Sequence, residues 1–137
     1  MDGKGRLILP AKLRDGLGER VVISRGLDTC LYVYTTEEWN VFAGKLDTLP
    51  LLDPRSRKIH QYFMSGAVDC DVDKQGRIVV PPNLREVLGD GKDLTLVGEG
   101  RRIEIWNSVA WNDHISEITD DLSSMTLELS EMDPRLL

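Results

Sequence analysis

Long apolar runs are missing from this 137-residue chain. None approaches the ~20 residues that a membrane-crossing helix requires, so no membrane partner is expected. The chain also does not open on a charged stretch followed by an apolar one, the pattern of a secretory leader. It has two cysteines, Cys30 and Cys70, and two histidines, His60 and His114. That is too few for a disulfide framework, and their spacings match no structural zinc site. The expected setting is reducing and cytoplasmic, with no metal and no cofactor. What is present is an ordinary globular balance, 41% hydrophobic and 29% charged. At about this length a domain hides roughly 68–70% of its unfolded surface, so a real core is possible without covalent staples.

Positive charge is nearly absent from the C-terminal end. Residues 112–137 carry Asp113, Glu117, Asp120, Asp121, Glu128, Glu131 and Asp133 against a single Arg135. Residues 1–111 balance 16 Lys and Arg against 16 Asp and Glu, so the formal charge of −6 belongs entirely to the tail. A neutral body can still present a basic face, because the distribution of charge matters more than its sum.

The chain repeats itself, which is the first organisation to seek. Residues 2–18 read DGKGRLILPAKLRDGLG and residues 73–89 read DKQGRIVVPPNLREVLG. Shifted by 71, eight of these 17 positions are identical, where average residue usage gives about one by chance. At a shift of 72, Leu31, Val33, Tyr34 and Trp39 stand opposite Ile103, Ile105, Trp106 and Trp111. Four segments follow: a first repeat over 1–52, a linker helix over 53–66, a second repeat over 67–111, and an acidic C-terminal helix or tail over 112–137.

Each repeat has a physical reading. The Asp of Asp-x-x-Gly-Arg suits the first position of a type I turn, and the Gly suits the left-handed residue that closes a hairpin. Three branched apolar residues follow, and so continuous a run predicts a strand buried on both faces. Pro10 and Pro81 then end the ladder, having no N–H to donate. Short helices follow over Ala11–Leu17 and Asn83–Leu88, with Gly18 and Gly89 as C-terminal caps. Strands are expected at Arg20–Ser24, Cys30–Tyr34, Asp93–Val97 and Arg102–Trp106. Thr35 and Glu38 can form a capping box for a helix bearing Trp39, Phe42 and Leu46. Asp53-Pro54 opens a helix over Arg55–Met64. Ser108 is the candidate cap for a helix with Trp111, Ile115, Ile118 and Leu122 at helical spacing. Ser123–Leu137 has weak periodicity and reads as a loosely ordered or partner-binding tail. One such unit leaves strand edges and an apolar face open. The expected fold is therefore mainly β with flanking α-helices, a pseudo-two-fold small barrel built from both units.

The pattern Asp-x-x-Gly-Arg, three apolar residues, Pro-x-x-Leu-Arg, at Asp2–Arg14 and again at Asp73–Arg85, resembles the signature of SpoVT-AbrB swapped-hairpin domains. Tandem copies at this separation are similar to the MraZ family of bacterial transcriptional regulators. The resemblance implies a double-split β-barrel and a ring-like homo-oligomer. It also implies binding to double-stranded DNA carrying short G-rich direct repeats, with autorepression of a division and cell-wall operon and a nucleoid location. Members of that family carry a short strand ahead of the first motif. Here the motif starts at Met1-Asp2, so a shortened pairing ahead of Arg6 is expected.

Arg6 and Arg77 are the leading DNA-contact candidates, because each follows a turn glycine where a loop enters a strand. A guanidinium can fork onto guanine O6 and N7 or onto a phosphate. Lys4 and Lys74 lie on the same loops, and Lys12, Arg14 and Arg85 on the short helices. Arg55, Arg57 and Lys58 form a second basic cluster. The competing reading of each Gly-Arg is a structural ion pair with Asp2 or Asp73. The three tryptophans follow apolar periodicity and read as core or protomer interface. No His, Ser or Cys recurs beside the repeated Asp to complete a nucleophile–base pair, and no phosphate-binding glycine loop is present. Neither an enzyme nor a small-molecule substrate is expected. The alternative function is an antitoxin-like interaction module acting through the acidic tail, as related swapped-hairpin domains do.

Overall fold

Seven short strands have two faces to cover, and different elements cover each. The computed structural model describes residues 1–14, 16–89 and 93–136. In chain order the elements are β1 (Arg6–Ile8), α1 (Ala11–Arg14), β2 (Arg20–Arg25), β3 (Cys30–Thr35), α2 (Thr36–Asp47), α3 (Pro54–Gly66), β4 (Val68–Asp71), β5 (Arg77–Val79), α4 (Pro82–Leu88), β6 (Leu94–Gly98), β7 (Ile103–Asn107) and α5 (Ser108–Met132). A 3-10 turn at Pro134–Leu136 follows. Strands β4-β2-β3-β7-β6 form an open antiparallel sheet, and β1 and β5 form a separate two-stranded ribbon. The hydrogen bonding of the described strands does not close into a barrel.

The strand register carries the repeat into three dimensions. β1 pairs with β5 as Arg6 with Val79, Leu7 with Ile78 and Ile8 with Arg77. Exchanging each residue for its equivalent 71 positions away returns the same three pairs. β3 pairs with β7 about Tyr32 and Glu104, flanked by Leu31 with Ile105 and Val33 with Ile103. The shift of 72 again maps this ladder onto itself. Both central pairings thus map onto themselves when the two repeats are exchanged. β4 pairs along the free edge of β2, whereas the outer edge of β6 has no strand partner among the described residues.

The ribbon lies over one face of the sheet. Leu7, Leu9, Ile78 and Val80 pack on Val21, Ile23, Leu31, Val33, Ile103 and Ile105, with Leu84 and Leu88 of α4 closing the cluster. Complete burial of a side chain of this size contributes about 1.5–3 kcal/mol, so this layer holds the two repeats together. The opposite face carries an aromatic cluster. Val22, Cys30, Tyr32, Tyr34 and Trp106 meet Trp39 and Leu46 of α2 and Phe63 of α3. Trp39 and Trp106 are buried here, as their periodicity implies.

Local signals place most boundaries within a residue or two. Thr35 Oγ1 accepts from the Glu38 amide at 3.0 Å, capping α2. Asp53 caps α3 by accepting from the Arg55 amide at 2.9 Å. Four expectations are corrected. α1 ends at Arg14, short of Leu17, and Asp15 lies outside the described residues. α3 runs on to Gly66, past the expected end at Met64. The cap of α5 is Asn107, not Ser108. Its Oδ1 accepts from the Val109 and Ala110 amides, while its Nδ2 donates to the Leu88 carbonyl at 3.2 Å, a tertiary anchor that Ser108 does not have. The stretch after Leu122 is no loose tail, for α5 continues unbroken to Met132.

Candidate nucleic-acid interface

The turn ahead of each ribbon strand is built by one carboxylate. Asp2 Oδ1 accepts from the amides of Lys4 and Arg6, both at 2.9 Å, and Oδ2 accepts from Arg6 Nε at 2.7 Å. Asp73 repeats this with the amides of Gln75 and Arg77 at 2.9 and 2.8 Å and with Arg77 Nε at 2.8 Å. The amides of Gly5 and Gly76 close the loops onto the carbonyls of Asp2 and Asp73. Both glycines have φ near +80°, at 79° and 78°, where a side chain is strained. The Arg6 amide, assisted by the Arg6 side chain and the Lys4 amide, holds the Asp2 carboxyl down at about 2. Asp73 is lowered for the same reason, led by the Arg77 amide. Both acids therefore stay charged near neutral pH.

These bonds use only Nε of each arginine. Among the described residues the Nη groups of Arg6 and Arg77 have no hydrogen-bond partner, and the two side chains remain about a third exposed. The Asp thus orients the fork without occupying its outer edge. The structural pair and the recognition role are compatible in this geometry.

The ribbon brings both arginines onto one surface. Leu7 and Ile78 point into the core, so Arg6, Ile8, Arg77 and Val79 point outward. The register sets Arg6 beside Val79 and Ile8 beside Arg77, so the arginines sit on one diagonal and the apolar residues on the other. The expectation of strands buried on both faces is corrected here. Ile8 is 63% exposed and Val79 50% exposed, because the sheet covers only one side of the ribbon. Sequence reasoning missed these two residues. An Arg-apolar-apolar-apolar run carries no period-two signal that marks an outer face.

Arg14 and Arg85 have a different environment. Arg85 Nη2 donates to the Lys4 carbonyl at 3.2 Å and its Nε donates to the Val80 carbonyl. Arg14 Nη1 donates to the Gln75 carbonyl at 3.2 Å. Each repeat's helix arginine therefore lies beneath the other repeat's turn. A Cβ on Gly5 would collide with the Arg85 guanidinium, and one on Gly76 with that of Arg14. Lys4 and Lys74 are exposed on the two turns, and Lys12 is exposed on α1. The equivalent of Lys4 is Gln75, so the lysines do not obey the two-fold. The Arg55–Lys58 cluster is not brought to this surface. α3 packs on the aromatic face of the sheet, and Arg55 pairs with Asp53 at 2.7 Å. Among the described residues no group of His, Cys, Asp and Glu is placed to hold a metal ion, and no helix is long and apolar enough to cross a membrane.

Fold and turns together define a tandem-repeat protein in which two Asp-x-x-Gly-Arg hairpin turns meet across one pseudo-two-fold β-ribbon. Sequence comparison places it further. The family described as "MraZ protein, putative antitoxin-like" matches residues 1–61 and 63–132, and the chain belongs to this family. It is 48% identical over 124 residues to the transcriptional regulator MraZ of Desulfitobacterium hafniense strain Y51, covering 90% of this chain and 87% of that protein. It is 44% identical to the same-named protein of Thermoanaerobacter sp. strain X514, covering 90% and 93%. The Clostridium beijerinckii protein of that name is 42% identical, covering 96% and 92%.

Proposed function

We propose that this protein is a transcriptional regulator that binds double-stranded DNA through the outer face of the β1–β5 ribbon. The observation that carries the reading is the pair of Asp-oriented guanidiniums, Arg6 and Arg77, set diagonally on one exposed two-stranded ribbon. The relatives' shared name, transcriptional regulator, supports the role. A two-stranded ribbon fits the major groove, where Arg reads guanine O6 and N7 and apolar side chains meet thymine methyls. Arg6 and Arg77 take the guanine contacts in this reading, and Ile8 and Val79 the methyl contacts. Lys4, Lys74 and Lys12 reach phosphates at the rim. Arg14 and Arg85 hold the turns from beneath and are positioning residues.

The finer features follow the family resemblance. The ribbon packed on the open sheet is read as a double-split barrel of two swapped-hairpin repeats, 1–52 and 67–111, joined by the linker helix 53–66 and followed by the acidic segment 112–137. The targets are short G-rich direct repeats upstream of a division and cell-wall operon, with autorepression in the nucleoid. One protomer offers few contacts, and a ring multiplies them through effective concentration. No cofactor or catalytic step is needed. The antitoxin-like alternative would act through the acidic C-terminal segment and requires a foreign protein bound there.

Fluorescence anisotropy tests the reading, with a duplex of G-rich direct repeats and a scrambled duplex compared across ~50–200 mM salt. Preference for the repeats at every salt concentration is expected. Equal, steeply salt-dependent binding to both would leave only a nonspecific basic face, and binding to neither would remove the DNA reading.

A further inference from the structure

We propose that Gln75 is a specificity-determining residue of the ribbon surface: its side-chain amide reads adenine in the major groove, beside the guanine taken by Arg77, and gives the protomer one direction on the duplex. The inference rests on the DNA reading above and names the part of the target that breaks its symmetry.

The outer face of the ribbon is close to two-fold. Arg6 stands beside Val79 and Arg77 beside Ile8, and the two apolar residues differ by one methylene. A surface of that symmetry presents the same face to DNA in either orientation and favours an inverted sequence. Direction has to come from residues that differ between the repeats. On the two turns, at the shift of 71, these are Gly3 against Lys74 and Lys4 against Gln75.

The backbone holds Lys4 and Gln75 in the same way. Each amide donates to Oδ1 of its turn Asp at 2.9 Å. Each carbonyl accepts at 3.2 Å from the other repeat's helix arginine, Lys4 from Arg85 and Gln75 from Arg14. Both residues are exposed. The two side chains therefore leave the turns from matching points, and only their chemistry differs. Among the described residues the side-chain amide of Gln75 makes no hydrogen bond, so its donor and its acceptor are both available.

Each turn carries one lysine, but in a different slot. Lys74 serves the phosphates on the second turn, which releases Gln75 from that role. An ammonium only donates, whereas a carboxamide offers a donor and an acceptor side by side. That pair matches N7 and N6 of adenine; guanine presents two acceptors at the same edge. Gln75 is two residues from Arg77, at most about 7 Å along the chain. Its adenine then falls within about two steps of the Arg77 guanine, at about 3.4 Å per step. Lys4 in the matching slot offers no adenine contact. The preferred site carries adenine next to one guanine and not next to the other.

Selection from a randomised duplex library, followed by sequencing, tests this with wild type, Gln75→Ala and Gln75→Lys. Fluorescence anisotropy then compares duplexes of the wild-type motif with and without the adenine. Wild type is expected to enrich an asymmetric motif, with adenine flanking one guanine, and to lose about 5–150-fold in affinity when that adenine is replaced. Gln75→Ala is expected to lose this discrimination while its guanine preference and salt slope persist, because no charge is removed. Gln75→Lys should lose the adenine preference too and steepen the salt slope by about one. The proposal is overturned by a wild-type motif without the flanking adenine, or by an adenine preference that survives Gln75→Ala. Loss of every base preference at once in Gln75→Ala would make the residue structural and also overturns it. A wild type that enriches no motif overturns the DNA reading and this inference together, whereas a guanine motif lacking the adenine leaves the DNA reading standing.

Discussion

The guanidinium of Arg85 lies against Gly5, donating 3.2 Å to the neighbouring Lys4 carbonyl, and so braces a turn that belongs to the other repeat. Arg14 returns the contact beneath Gly76. Each recognition turn is thus completed only when both repeats have folded. Two local motifs become one cooperative surface through these crossed arginines.

Removal of the brace has a definite cost. Arg85→Ala deletes hydrogen bonds from a charged donor to two carbonyls, each worth about 1.5–3 kcal/mol at most. A loss of roughly 2 kcal/mol is expected from urea unfolding, with Arg14→Ala losing less because it makes one such bond. Arg85→Lys recovers little, since a point charge cannot span both carbonyls.

The turn glycines answer two constraints at once, positive φ and lack of room. Gly76→Ala is expected to destabilise by roughly 2 kcal/mol or more, combining left-handed strain of about 1–2 kcal/mol with the collision against Arg14. In a double-mutant cycle Arg14→Ala should relieve the collision and leave the backbone strain. Coupling of about 1 kcal/mol between the two is expected. Additive effects would mean that Arg14 does not pack under this turn.

Arg6→Ala and Arg77→Ala are expected to weaken binding to the repeat duplex by roughly 5–150-fold each, the range of one bidentate guanine contact at about 1–3 kcal/mol. Oligomer mass should be unchanged. If both variants lose their cooperative thermal transition, the arginines are structural and the assignment fails.

Acid should loosen both turns. Asp2 is ordinarily near 3.8 and is held at about 2 in the folded chain. A depressed acid contributes stability above its unfolded value, and that contribution fades as pH falls through the folded one. The Asp2 contribution is therefore intact above about pH 4 and lost between about 4 and 2. Asp73 behaves with the same sign. Side-chain carboxyl shifts followed by NMR should show Asp2 titrating near 2, with the Arg6 amide resonance moving in step.

Much of this protein is legible without coordinates. The Asp-x-x-Gly-Arg turns are local, since one carboxylate, two amides and a left-handed glycine lie within five residues. The caps at Thr35 and Asp53 are local too. The same holds for α2 and α3, whose apolar spacing and first-turn residues suffice to place them. The candidate arginines were found because the same turn occurs twice.

Other features depended on residues far apart in the chain. Whether Ile8 and Val79 face core or water depends on which layers flank the ribbon, and a run of branched residues reads the same in either case. Arg14 and Arg85 look like surface helix residues until the two-fold carries each beneath a turn in the other repeat. The cap at Asn107 is strengthened by the distant Leu88 carbonyl. The run of α5 beyond Leu122 is hard to read from sequence, because its later apolar residues, Met125, Leu127, Leu129 and Met132, stand among Ser, Thr and Glu. Sequence alone determined the repeat, its turns and the family they belong to, because backbone conformation and short-range hydrogen bonds are written in neighbouring residues. Tertiary structure alone decided which residues form the outer surface and what holds them there, because burial and crossed contacts exist only once the two repeats meet.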